Sequence, residues 1–211
     1  MNKALDIVAK ILSVVLYPLF IPTYGMALFC AAHTTQVAPL NGIWIAIAVI
    51  GTFTLTCVLP ITSIWIMMKR GEIRDLYIDD PKERTMPYIY SLFGFGFWCY
   101  LLVQILHVPA FLSCIAIGAT VAIGLVAFIN RYWKISAHLA GIGGLLGGIL
   151  SYCLGIGAVP TWGTFTLLLC LSWLLMWARL HMNAHTGAQV SAGWLLGLFC
   201  TFIPYLILSH V

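Results

Sequence analysis

The chain has 211 residues, 62% of them hydrophobic and only 8% charged, whereas a soluble globular domain carries about 25% charged residues. That balance excludes a water-soluble domain and places nearly the whole chain in a membrane. Ten Lys and Arg against six Asp and Glu give a net charge of +4; cations this sparse form no phosphate-tracking stripe, so no nucleic-acid partner is expected and the charges read as marks of topology.

A membrane crossing needs about 20 apolar residues. The first such stretch, Leu5 to Ala32, is interrupted by Pro18 and Pro22, which predicts a kink or unwound turn near its middle. It is too long for the core of a cleavable leader and lacks a clear small-residue cleavage site, so a retained helix is expected. The second runs from Gly42 to Met68 with a kink signal at Pro60. A polar piece, Lys69 to Pro87, follows and holds five of the six acidic residues; it reads as an interfacial helix or an ordered loop. Further spans are expected at about Tyr88–Leu106, Ala110–Ile129, Ile135–Gly157, Thr161–Leu180 and Val190–Leu208. The span from Ile135 contains GIGGLLGG, a small-residue run that permits close helix approach.

The expected fold is therefore an all-α polytopic bundle of six or seven membrane helices, forming one domain over residues 1–211. With seven spans, all ten Lys and Arg fall on one side, which the positive-inside rule assigns to the cytoplasm. A bacterial inner membrane is the expected location. The seven cysteines are each isolated in or beside apolar segments and read as small hydrophobes, not as disulfide partners or metal ligands.

Three polar islands interrupt the apolar pattern, at Lys69–Arg84, Asn130–His138 and Arg179–Gln189. Ionisable groups at membrane depth are costly and mark sites that face a cavity, a partner or the interface. The three are expected to meet at one membrane face. Arg179 offers a planar fork of donors to a phosphate or carboxylate. Gln189, four residues after His185, lies one helical turn on and is expected to hold an imidazole nitrogen, leaving the other outward as base or nucleophile. Ser136 and His138 open a helix whose N-terminus favours an anion; Ser136 is a donor to it and His138 a general acid toward a leaving alkoxide. His181 and His185 stand four apart, but no further ligand-type residue nearby completes a metal set, so no metal or other cofactor is expected.

These islands resemble the motifs of the type 2 phosphatidic acid phosphatases, integral-membrane lipid phosphatases related in fold to the vanadium haloperoxidases. The third motif of that family is Arg, five residues, His, three residues, Asp; Arg179, His185 and Gln189 stand at that spacing, followed by a similar Val190 to Gly193 run. The second is Pro-Ser-Gly-His, matched by Ser136 and His138. The first is Lys, six residues, Arg-Pro, for which Arg84 with Pro87 is the nearest match. The resemblance covers roughly residues 82 to 197. It implies His185 as the nucleophile forming a phosphohistidine, His138 as the general acid, Gln189 in the place of the orienting Asp, and Arg179, Arg84 and Ser136 as phosphate ligands. Three departures stand out: Gln189 replaces Asp, Tyr77 occupies the Lys position, for which Lys82 or Lys134 are the candidate substitutes, and Ile135 and Ala137 replace the Pro and Gly.

The expected activity is metal-independent hydrolysis of a lipid phosphomonoester or diphosphate drawn from the bilayer. A family member that binds or transports a phospholipid without hydrolysis is the alternative, favoured by Gln189 and the missing Lys. A transporter is a third reading, weakened because the polar residues gather at one face and not at midplane.

Overall fold

In the computed structural model, residues 3–37, 40–73, 85–157 and 162–208 are described. Among them every regular element is helical. Six helical stretches are long and apolar enough to cross a membrane: Gly42–Lys69, Thr85–Ile105, Ala110–Asn130, Ala137–Gly155, Trp162–His181 and Gly187–Ile207. The protein is a polytopic integral-membrane helical bundle.

The first apolar stretch breaks where its prolines predict. α1 (Lys3–Val15) ends before Pro18, and α2 (Ile21–Gln36) begins with Pro22 in its first turn, where a missing N–H costs nothing. The second span is α3 (Gly42–Phe53), a π turn at Thr54–Val58, and α4 (Leu59–Lys69). The π turn sits just ahead of Pro60 and absorbs the kink within a continuous helix. Asn41 caps α3, its Oδ1 accepting from Ile43 N at 2.8 Å. α5 (Thr85–Tyr100) runs into a second π turn at Leu101–Ile105, and α6 (Ala110–Asn130), α7 (Ala137–Gly155), α8 (Trp162–His181) and α9 (Gly187–Leu208) follow.

The centre of the bundle is the α7–α9 pair. A Cβ on Gly143 would overlap the Trp194 carbonyl, and one on Gly147 the Leu198 carbonyl; conversely Gly193 and Gly197 of α9 abut the carbonyls of Ser136 and Ala140. Without side chains at these four positions the two backbones touch, which is the close approach expected of the GIGGLLGG run. This contact fixes the start of α7 against the start of α9, the two places where the polar islands lie. Leu139, Ile142, Leu146, Leu175 and Val190, all essentially unexposed, fill the core between α7, α8 and α9.

A cavity of about 520 Å³ opens inside the bundle. Both His138 and Tyr152 of α7 line it, so at 1.5 Å per residue it runs about 21 Å along that helix. Its walls are mainly apolar, and the hydroxyls of Thr52, Thr56, Ser91 and Thr201 bond back to backbone carbonyls. Ser13, His138, Arg179 and His185 line it as well, giving it one polar end.

Candidate functional site

The connection between α8 and α9 brings His185 back toward Arg179 through two standard local devices. Asn183 adopts a left-handed conformation, φ 52°, which Asn tolerates better than most residues. Its N–H bonds to Leu180 O at 3.0 Å and the Ala184 N–H to Arg179 O at 3.1 Å, the paired closure of a Schellman motif. Thr186 then opens α9 as a capping box: Gln189 Oε1 accepts from Thr186 N at 3.1 Å and Gln189 N donates to Thr186 Oγ1 at 3.4 Å. The spacing of Arg179, His185 and Gln189 is thus the length of one helix stop followed by one helix start.

The α6–α7 connection is tied to this turn. Ser136 is fully buried and caps α7, its Oγ accepting from Leu139 N at 3.5 Å. Its own N–H bonds to Gln189 O at 3.3 Å. Ser136 therefore anchors the two helix starts together and stands outside the residues that line the cavity.

His185 is half-buried, and its Nδ1 lies 3.1 Å from the carbonyl of Lys134. A carbonyl only accepts, so Nδ1 carries the proton and Nε2 holds the lone pair. The sequence assigned the orienting role to Gln189; in the structure the carbonyl of Lys134 holds Nδ1, and the Gln189 oxygen serves the capping box while its side chain also lies against the ring. Burial pushes the His185 imidazole down to about 4, and the charge of Arg179 adds to it. The Lys134 carbonyl and Gln189 pull weakly the other way, and the Lys134 charge adds a smaller push down. The ring is therefore neutral at pH 7.

His138 points its Nε2 at the backbone carbonyl of Ser13, 3.1 Å away, and packs edge-on against Tyr17 with ring centroids 5.4 Å apart. Arg179 Nη1 donates to Ser13 Oγ at 3.3 Å. The structure thus brings Arg179, His185, His138, Lys134, Ser136 and Gln189 to one end of the bundle. Lys82 and Arg84, with Tyr77, lie outside the described residues. Sequence reasoning missed Ser13, Asp6, Thr186 and the carbonyl of Lys134. The first two had a signal: Lys3, Asp6, Lys10 and Ser13 recur at helical spacing through an otherwise apolar segment.

His181 bonds to Asp6, Nε2 to Oδ1 at 2.8 Å, and among the described residues no three His, Cys, Asp or Glu side chains gather as a metal-binding group. No family model, curated protein or solved structure matches the chain.

Proposed function

We propose that the protein is a membrane lipid phosphate phosphatase working through a phosphohistidine. The observation that carries this reading is the state of His185: neutral, with Nδ1 tied to a carbonyl, beside the Arg179 guanidinium at the polar end of a long apolar cavity. A nucleophilic imidazole needs an available lone pair and a fixed tautomer. An anion needs a fork of donors at the same place, and a lipid needs a path for its hydrocarbon.

In the proposed reaction Arg179 and Lys134 bind the phosphoryl oxygens, and the cations stabilise charge as the group transfers. His185 Nε2 attacks phosphorus, and the P–O bond to the lipid breaks. His138 as imidazolium gives its proton to the leaving oxygen, while its Nε2–H stays on the Ser13 carbonyl. Water, deprotonated by the now neutral His138, then cleaves the P–N bond, releasing phosphate and regenerating both rings. The hydrocarbon of the lipid occupies the cavity along α7. Ser136 acts by joining the helix starts of α7 and α9.

A binding role without turnover is the second reading, supported by one observation. The group holding Nδ1 of His185 is a neutral carbonyl, which orients the ring but does not offset the charge of a protonated imidazole as a carboxylate does. One experiment separates the two. Purified protein is given phosphatidate, phosphatidylglycerophosphate, a polyprenyl diphosphate and a short water-soluble phosphomonoester, without added metal. The phosphatase reading expects phosphate release from at least one long-chain lipid in preference to the soluble ester, falling by about 10⁴-fold or more in His185→Ala. Folded wild type that binds these lipids and releases nothing supports the second reading.

A further inference from the structure

The two groups proposed to bind and protonate the phosphoryl group share one neighbour from outside the motif-bearing part of the chain. Ser13, near the end of α1, is 3% exposed. Its hydroxyl accepts from Arg179 Nη1 at 3.3 Å, and its backbone carbonyl takes His138 Nε2 at 3.1 Å. The hydroxyl proton faces Met182 Sδ at 3.7 Å, a weak acceptor that holds it loosely. Arg179 comes from α8 and His138 from α7, so one residue of α1 bridges two helices at the site.

α1 is pinned there. Asp6 Oδ1 lies 2.8 Å from His181 Nε2, and the His181 ring stacks on Trp177 with centroids 5.1 Å apart. Asp6 and Ser13 are about 10 Å apart along α1, yet their partners on the other side fall within Arg179–Met182. α1 is therefore tied to the end of α8 at two points. Its other side exposes Leu5, Ile7, Val8, Ile11, Val14 and Val15, the pattern of a helix lying in the membrane interface with its apolar face in lipid.

We infer that α1 is a wall of the anion site and that Ser13 is a positioning residue, fixing the Arg179 fork and the protonated Nε2 of His138 from a single point. The Asp6–His181 pair holds α1 in register for that task. The inference rests on the anion-site reading above and deepens it. A guanidinium recognises an oxyanion by the direction of its donors, so losing the hydroxyl that aims it costs affinity even though the charge remains. A carbonyl partner sets the His138 tautomer from outside the reacting face, as a supporting residue must.

The test uses the full chain in micelles with inorganic phosphate as the probe. Affinity is measured by titration calorimetry for wild type, Ser13→Ala, Ser13→Thr and Asp6→Asn, and the tautomer of His138 is read from its ¹⁵N shifts at a pH where the ring is neutral. The expected results are a loss of about tenfold in phosphate affinity in Ser13→Ala, the size of one hydrogen bond to a charged group, recovery in Ser13→Thr, a loss in Asp6→Asn, and a proton on Nε2 of wild-type His138. Unchanged affinity in Ser13→Ala, or a wild-type His138 protonated on Nδ1, overturns the proposal. If Ser13→Ala does not fold, Asp6→Asn and the tautomer decide it. Wild type that binds no phosphate defeats the anion-site reading, and the positioning role falls with it; wild type that binds phosphate indifferently to Ser13 defeats the positioning role alone.

Discussion

His185 carries more of its environment than its position in a motif conveys. Burial and the Arg179 charge lower its protonation to about pH 4, and the consequence for activity has a definite sign. A protonated imidazole has no lone pair, so protonation of His185 is expected to cut the rate as pH drops through about 4 and not through 6.5, where an ordinary histidine titrates, while the need for a protonated His138 acts on the opposite, alkaline limb. The measurement is the acidic limb of kcat/KM against pH, with the His185 ¹⁵N titration beside it; a limb and a titration both near 6.5 would refute the buried, neutral nucleophile. Stability follows the same linkage. The unfolded ring takes up protons near 6.5 and the folded one near 4, so below 6.5 the unfolded state binds more protons. The contribution to stability is complete above about pH 6.5 and is lost progressively as pH falls toward 4. Removing the ring in His185→Ala should flatten that part of the stability curve.

At the scale of elements, the helix contact that sets the site is made of absent side chains. A Cβ on Gly197 would overlap the carbonyl of Ala140 on α7, which is backbone and has nowhere to go. Gly197→Val is therefore expected to separate the α7 and α9 starts and destabilise the protein by about 1–3 kcal/mol or more, as overpacking does. Gly163→Ala on α8, where nothing lies within 4 Å, should be neutral or stabilising by up to about 1 kcal/mol from helix propensity. Thermal unfolding in one detergent compares the two; equal behaviour would mean that the α7–α9 contact is looser than described. The helices themselves were legible because apolar runs, prolines and the glycine-rich run each act locally: Pro18 and Pro22 break the first segment, and Pro60 places the π turn. The start of α9 was legible in part. The spacing to Gln189 was visible, but Thr186 and Gln189 form a capping box that the notion of an orienting Gln overlooked. The carbonyl of Lys134 left no trace in the sequence, since every residue has one and only the fold aims it. Ser13 was legible only as one member of a polar stripe on the first helix: its partners lie more than 120 positions away, and no local pattern reports a contact at that separation.

For the whole molecule, the polar end and the charged end coincide. Among the described residues every Lys and Arg sits on α1, where α4, α6 and α8 end, or where α7 begins, and the starts of α7 and α9, the end of α8 and α1 meet at the site. The opposite end, at His107–Pro109 and Gly157, carries no Lys, Arg, Asp or Glu among the described residues. Short cationic connections are retained in the cytoplasm, so this end is expected to face inward, and under the proposed function the lipid would come from the inner leaflet. Arg179 and Lys134 complicate this, because cations kept for chemistry are not free to report topology, yet Lys3, Lys10, Lys69 and Arg70 lie at the same end without a proposed catalytic task. Fusions of a compartment-dependent reporter after Arg70, Lys134 and Asn183 should read as cytoplasmic, and fusions after His107 and Gly157 as external. The reverse pattern would place Arg179 and His185 on the outer face. The substrate pool would then be the outer leaflet, and the cations would be retained against the topological rule by the anion they bind.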